Sequence, residues 1–302
     1  MLYAVIDVGS NAARLLFANA YGDIDNIKVE KATLIRIPLR LGKDVFKKSH
    51  KPGAISPSKE KDFVKTMKAY GLLMDVYKAR GFRACATAAM REATNSADIV
   101  AKIRKETGIN LEVISGAEEA SIIRKTNRIV FKHPDRLTIF IDVGGGSTEI
   151  SAERNGELIK LKSFKIGTIR LLNKNCTPKV WDEIEDWFDE FSDEFDQMNV
   201  VGSGGNINKI NKLFGEENSI FLSIDHLQNS HNHLSMLTVE ERMGEFGMRR
   251  DRADVIVPAA EIYLRILKLI KAKHIAVPKI GLADGMIHQL YREYLEQQVQ
   301  ED

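Results

Sequence analysis

Cysteine is scarce. Cys85 and Cys176 are the only two in 302 residues, too few for a disulfide framework, and the expected compartment is a reducing cytoplasm. Long apolar runs are missing too; none approaches the roughly 18 residues that a membrane span needs. The first strand-like segment, Tyr3-Ala4-Val5-Ile6, begins so near Met1 that no cleavable leader is expected. Net charge is also small: 44 Lys+Arg against 42 Asp+Glu leave a formal +2. A chain-wide polyelectrolyte role is therefore excluded, and any polyanion must be met by local charge. Neither a membrane nor a specific nucleic acid is an expected partner. There is no linker rich in Gly, Ser or Pro and no low-complexity tract. What is abundant is apolar material, 44% of the chain, which excludes general disorder. The length suggests about two domains at roughly 150 residues each.

Strand-like and helix-like segments alternate, which argues for α/β architecture. Apolar runs at 3–8 and 15–20 flank Gly9-Ser10-Asn11, and 29–39 alternates as a third strand. Ser56-Pro57 reads as N-cap and first helical residue. The helix behind it carries Phe63, Met67, Tyr70, Met74 and Tyr77 on one stripe, and Gly81 is expected to end it. Residues 85–88 and 111–114 read as strands around a helix at 96–106. The strongest buried-strand signal is 137–143. There the opening pattern returns: Ile6-Asp7-Val8-Gly9-Ser10 becomes Ile141-Asp142-Val143-Gly144-Gly145-Gly146-Ser147, with a strand after the loop in both copies. Two such units 135 positions apart suggest two similar halves. The second half continues with a strand at 158–164, then a helix at 180–197 on a stripe of Trp181, Ile184, Phe188, Phe191 and Phe195. The nine acidic residues from Asp182 to Asp196 read as its solvated face rather than a metal site. A long apolar helix at 254–271 and a terminal helix from Gly285 complete the pattern.

Three loops set glycine and small hydroxyl residues directly after a strand: 7–11, 142–148 and 202–206. Glycine lets backbone N–H groups approach an anion, and Ser10, Ser147, Thr148 and Ser203 add hydroxyl donors. Asp7 and Asp142, at strand ends, suit orienting water or holding a hard cation such as Mg²⁺. Together the loops point to a phosphate clamp. No G-x-x-x-x-G-K-[ST] occurs, and Ile207 stands where a dinucleotide fingerprint needs its last glycine. His231-Asn232-His233 lacks spaced partner ligands and reads as a polar loop. At Ser115-Gly116-Ala117-Glu118-Glu119, Ser115 and Glu118 match a capping box. That explanation leaves Glu119 over, and a carboxylate near phosphate loops suits general-base activation of water.

At this point the residues resemble a known family. Asp7-x-Gly9-Ser10-Asn11, Ala86-Thr87-x-Ala89-x-Arg91-Glu92-Ala93, Ile114-Ser115-Gly116-x-Glu118-Glu119-Ala120, Ile141-Asp142-x-Gly144-Gly145-Gly146-Ser147-Thr148-Glu149 and Arg252-Ala253-Asp254-Val255-Ile256 are similar, in order, to motifs of the exopolyphosphatase/guanosine pentaphosphate phosphohydrolase (Ppx/GppA) family. The resemblance implies an actin-like ATPase fold, two ribonuclease-H-like domains with a cleft between them. It implies domains at 1–125, with a returning C-terminal helix at about 286–302, and at 126–285. It implies Glu119 as catalytic base, and Asp142, Glu149 and Asp7 around Mg²⁺ or another hard divalent cation. Ser10, Asn11, Arg91, Gly144, Gly145, Gly146, Ser147, Gly204 and Gly205 match phosphate-binding positions. Asn206 replaces a usual Thr, and Ala12-Ala13 replace Ser-Phe. The chain resembles the short form, without the helical extension, and homodimerisation is common for the architecture.

The expected activity is removal of terminal orthophosphate from polyphosphate, guanosine pentaphosphate, or both. The alternatives are an actin-like kinase or ATPase, which shares the fold, and a non-catalytic polyphosphate or alarmone sensor. Between Lys28 and Lys51, eight Lys/Arg against Glu30 and Asp44 give a local +6, and Arg249, Arg250 and Arg252 form a second basic cluster. Both are candidate tracks for a polyanion.

Overall fold

The structure is a computed structural model; it describes all residues except 49, 50, 127, 128, 130 and 302. The chain divides into two compact units, residues 1–46, 51–126 and 281–302 in one, 47–50 and 127–280 in the other.

The first unit opens with β1 (Leu2–Val8), β2 (Ala13–Tyr21) and β3 (Lys28–Ile37). Then come α1 (Gly42–Val45), α2 (Pro57–Tyr77), β4 (Phe82–Ala86), α3 (Ala88–Glu92), α4 (Ser96–Thr107), β5 (Leu111–Val113) and α5 (Gly116–Lys125). Its sheet runs β3-β2-β1-β4-β5; the first three strands are antiparallel, and β1, β4 and β5 are parallel. Side chains alternate across the sheet. Phe17 stacks on Tyr77 of α2, ring centroids 4.2 Å apart, and the Tyr70 hydroxyl donates to the Ala13 carbonyl at 3.0 Å. α2 ends earlier than its glycine suggested: Lys78 takes the left-handed position at φ 52°, three residues before Gly81. Ser56 sits at the N-cap without a side-chain cap bond.

The second unit contains β6 (Thr138–Val143), β7 (Thr148–Arg154), β8 (Glu157–Phe164), α6 (Thr168–Leu172) and α7 (Lys179–Phe188). A 3-10 turn over Asp189–Glu194 leads to β9 (Asn199–Ser203), α8 (Gly205–Phe214), β10 (Phe221–Ser223) and α9 (Ile224–Met236). The unit closes with α10 (Val239–Phe246), α11 (Arg250–Ala253), α12 (Ile256–Leu269) and β11 (His274–Ala276). The sheet order is β8-β7-β6-β9-β11-β10. It has the directions of the first sheet plus one antiparallel edge strand, β10. Both sheets thus carry the ribonuclease-H-like order, and the chain has an actin-like two-domain α/β fold. Two helical expectations need correction. The 180–197 helix stops at Phe188 and passes into the 3-10 turn, where Phe191 is buried. His231-Asn232-His233 lies inside α9, whose Leu227, Ser230 and Leu234 are the buried stripe.

α13 (Leu282–Glu301) belongs to the first unit; Asp302, where the expected terminal helix ends, lies outside the described residues. Leu282, Met286, Ile287 and Tyr291 pack with Tyr3, Val5, Leu16, Ala18, Cys85, Ile122 and Ile123. Gly285 meets α5 so closely that a Cβ there would stand 2.3 Å from Ile122 Cγ2 and 2.7 Å from the Ile122 carbonyl oxygen. Alanine is the better helix former by about 1 kcal/mol. Ile122 is β-branched and cannot rotate away, so overpacking of about 1–3 kcal/mol wins. Gly285→Ala is expected to lower the urea and thermal unfolding midpoints; a raised midpoint would refute the close contact. Among the described residues, no helix is long and apolar enough to cross a membrane.

Candidate functional site

In each unit the candidate residues gather at the carboxyl ends of the parallel strands, where open α/β sheets place their binding loops. In the first unit the register pairs Val8 with Ala86 and Ala86 with Val113. The segments after β1, β4 and β5 therefore emerge side by side, with Ser10-Asn11 in the first loop, Arg91 on α3 and Glu119 in the first turn of α5. Ser115 caps α5 by accepting from the Glu118 N–H at 3.1 Å. The Glu118 carboxylate, however, pairs with Arg83 at 3.0 Å. Glu119 is buried at 8% exposure, with Arg91 Nη1 3.7 Å from its carboxylate. That distance is an electrostatic contact rather than a hydrogen bond; Arg91 Nη1 donates to the Ile114 carbonyl at 2.8 Å.

The loop after β1 is held from one side. Its Ser10 carbonyl accepts from the Gly42 N–H at 2.8 Å, and its Asn11 carbonyl from the Arg40 N–H at 2.9 Å. The Ser10 hydroxyl is buried, with no hydrogen-bond partner among the described residues. Behind the loop, Asp44 accepts from Lys59 Nζ at 2.7 Å and from the Ser56 N–H at 3.0 Å, while Lys59 also donates to the Arg40 carbonyl at 2.7 Å. Burial pushes the Asp44 carboxyl up, but these donors outweigh it and hold the group below its ordinary value of 3.8. Because the folded value lies below the unfolded one, the stabilisation is full above the unfolded value and fades as pH falls through the folded one. Acid unfolding below about pH 4 should therefore be shallower in Asp44→Asn than in the parent chain, read by circular dichroism. Equal slopes would exclude Asp44 as a contributor.

In the second unit one row of side chains crosses four strands. Ser163 on β8 pairs in register with Glu149 on β7, Glu149 with Asp142 on β6, and Asp142 with Ser203 on β9. Each serine donates to the neighbouring carboxylate: Ser163 Oγ to Glu149 Oε1 at 2.7 Å, and Ser203 Oγ to Asp142 Oδ1 at 2.5 Å. An oxygen of Asp142 lies within 4.8 Å of one of Glu149. Two oriented carboxylates at that separation fit a hard cation that keeps several of its own waters, as Mg²⁺ does. The equivalent row in the first unit differs. Arg14 stands opposite Asp7, and its Nη1 meets Asp7 Oδ2 at 2.6 Å. Asp7 thus faces a cation where Asp142 faces a carboxylate.

The glycine loop after β6 spans Gly144–Ser147, closed by the Gly144 N–H donating to the Ser147 carbonyl at 3.0 Å. Beside it, Gly204 at φ 105° leads into α8. The positive φ favours glycine, and a Cβ there would sit a tight 3.2 Å from Asp142 Oδ1. Arg252 Nη1 donates to the carbonyl of Gly205, the first residue of α8, at 2.7 Å. Sequence reasoning missed Arg14 and Ser163, and took Ser203 as a loop hydroxyl rather than a carboxylate's partner. Neither thiol suits nucleophilic chemistry. Burial pushes Cys85 up to about 12, and also raises Cys176.

The sequence model of the Ppx/GppA phosphatase family matches residues 38–293; the chain belongs to that family. It is 34% identical over 179 residues to a bifunctional 3-dehydroquinate synthase/phosphatase of Fusobacterium nucleatum, covering 57% of this chain and 26% of that protein. Exopolyphosphatase 1 of Mycobacterium leprae is 25% identical over 95% of this chain and 88% of its own length. A guanosine-5'-triphosphate,3'-diphosphate pyrophosphatase of Vibrio cholerae is 23% identical over 99% of this chain, which spans 61% of it. Among solved structures, an exopolyphosphatase from Cytophaga hutchinsonii superposes with a TM-score of 0.79 at 24% identity, covering 96% of this chain and 97% of that one. At that identity the likeness speaks for the fold alone.

Proposed function

We propose that the chain is a phosphohydrolase that releases terminal orthophosphate from inorganic polyphosphate or guanosine pentaphosphate, with water as nucleophile and Mg²⁺ as cofactor. The observation that carries this reading is the Ser163–Glu149–Asp142–Ser203 row beside the glycine loop Gly144–Ser147, in a chain of the Ppx/GppA phosphatase family. Asp142 and Glu149 would hold the cation, which when bound supplies positive charge to the phosphoryl oxygens. In the second unit the backbone N–H groups of Gly145, Gly146 and Ser147 are assigned to binding phosphate, and in the first unit the Ser10 hydroxyl and Arg91 are assigned to the same task. Gly204 and Gly205 let the neighbouring loop approach the same kind of anion. Glu119 accepts a proton from water and aims its oxygen at phosphorus. Asp7, paired with Arg14, is assigned to hold that guanidinium rather than the cation. The lone thiols fit a cytoplasmic setting.

The test is a phosphate-release assay on the full chain with long polyphosphate, tripolyphosphate, guanosine pentaphosphate and ATP, each with Mg²⁺. Release from either polyphosphate or from guanosine pentaphosphate, well above that from ATP, is the expected result. Turnover of ATP alone would replace the reading with a kinase or ATPase. Binding of polyphosphate without release would replace it with a sensor.

A further inference from the structure

The glycine loop of the second unit has every carbonyl from Gly144 to Gly146 tied to one short segment. The Gly144 carbonyl accepts from the Thr168 N–H at 3.0 Å. The Gly145 carbonyl accepts from the Ile169 N–H at 2.8 Å and the Arg170 N–H at 3.3 Å. The Gly146 carbonyl accepts from Arg170 Nε at 2.5 Å. In a trans peptide the C=O of one residue and the N–H of the next point opposite ways, and among the described residues there is no cis bond. Fixing three successive carbonyls on α6 therefore turns the N–H groups of Gly145, Gly146 and Ser147 to the opposite side. Among the described residues, no acceptor takes up the N–H of Gly145 or Gly146.

Arg170 is the unusual member of this support. It is a charged side chain at 5% exposure, where arginine is rare without a specific task. Its Nη1 donates to Asn175 Oδ1 at 2.8 Å, the Asn175 N–H returns to the Arg170 carbonyl at 2.8 Å, and Asn175 Nδ2 donates to the Lys47 carbonyl. The guanidinium is thus fixed in plane at two edges. Gly167 completes the fit. A Cβ on it would stand 2.6 Å from the Gly145 carbonyl carbon and 2.7 Å from the Gly146 nitrogen.

We propose that Arg170 is a positioning residue for phosphoryl binding: through the Gly146 carbonyl it aims the loop's N–H donors and polarises the peptide that carries the Ser147 N–H. The proposal rests on the reading of Gly144–Ser147 as a phosphate loop. The positive charge behind the carbonyl and the anion before the N–H act on the same dipole with the same sign, so both favour one orientation. Lysine would keep the charge but lose the fork that bonds Gly146 and Asn175 together.

The experiment uses the full chain, ¹⁵N-labelled, titrated with inorganic phosphate and followed by the amide resonances of Gly145, Gly146 and Ser147, beside the kinetics of tripolyphosphate hydrolysis with Mg²⁺. In the parent chain these resonances move with phosphate. In Arg170→Lys, and independently in Gly167→Ala, half-saturation shifts to about 10–100-fold higher phosphate and kcat/KM falls by a similar factor. Asn175→Ala, which leaves the Arg170 charge in place, loses affinity in the same direction. If Arg170→Lys does not fold, Gly167→Ala and Asn175→Ala carry the test. Folded variants that stay within about threefold of the parent in both readouts overturn the positioning role while leaving the loop reading intact. Parent resonances that ignore phosphate overturn the loop reading and the proposal with it.

Discussion

Glu119→Gln is expected to cut phosphate release by about 10²–10⁴-fold, the range a positioned general base contributes, while leaving the chain folded. The two halves of that expectation have separate causes. Glutamine preserves the shape of the side chain but cannot accept the proton from water. Arg91 stands 3.7 Å away, too far for a hydrogen bond, and keeps its bond to the Ile114 carbonyl. The substitution also removes one negative charge from the first turn of α5, worth about 0.3–1 kcal/mol against the helix dipole. Ser115 continues to cap the helix through the Glu118 N–H. KM for tripolyphosphate should therefore change by no more than a few-fold while kcat collapses, since the residue acts on water rather than on phosphate. A variant with full kcat would remove Glu119 from the mechanism. One that loses kcat and melts far below the parent would assign the residue to the fold instead.

Legibility followed the range of the interactions involved. The two strand–Asp-x-Gly–strand units could be read because a buried strand, a glycine and a second strand are all local signals, and they became β1–β2 and β6–β7. Arg14 was legible in principle: it follows Asp7 by the same seven positions that separate Glu149 from Asp142. The hairpin register then sets it opposite its aspartate. Ser163 was not legible. Its place opposite Glu149 depends on the β7–β8 register, which shifts between Ala152 and Glu153. α6 is five residues long, too short for any periodicity, so its support of the glycine loop left no trace in the pattern. α9 was missed for another reason. Its exposed face is rich in His, Asn and Ser, and that polarity hid the buried Leu227–Ser230–Leu234 stripe. At α7 the apolar stripe was real but outlived the helix, because Phe191 keeps its burial from a 3-10 turn.

Glu149→Gln is expected to abolish the link between Mg²⁺ and stability. A cation that binds only the folded chain raises stability by about 2.7 kcal/mol at 100 times its Kd, and by about 0.4 kcal/mol once Kd has risen 100-fold. A loss of that size is a minimum for removing one of two charged ligands, since removing a partner that merely orients a ligand already costs about 10–100-fold. Thermal unfolding in EDTA and in excess Mg²⁺ measures the difference directly. Glutamine still accepts from Ser163 Oγ through its amide oxygen, so the 2.7 Å bond that orients the side chain need not be lost. Ser163→Ala is the graded companion: both carboxylates remain, one loses its orientation, and the Mg²⁺-linked shift shrinks without vanishing. Asp7→Asn is the contrast. Asp7 lies 2.6 Å from the Arg14 guanidinium, an arrangement that already balances its charge, so the Mg²⁺-linked shift should persist at its full size. If instead Asp7→Asn removes the shift and Glu149→Gln keeps it, the cation belongs to the first row rather than the second. The two rows would then have exchanged the roles that their opposing residues, arginine in one and glutamate in the other, assign to them.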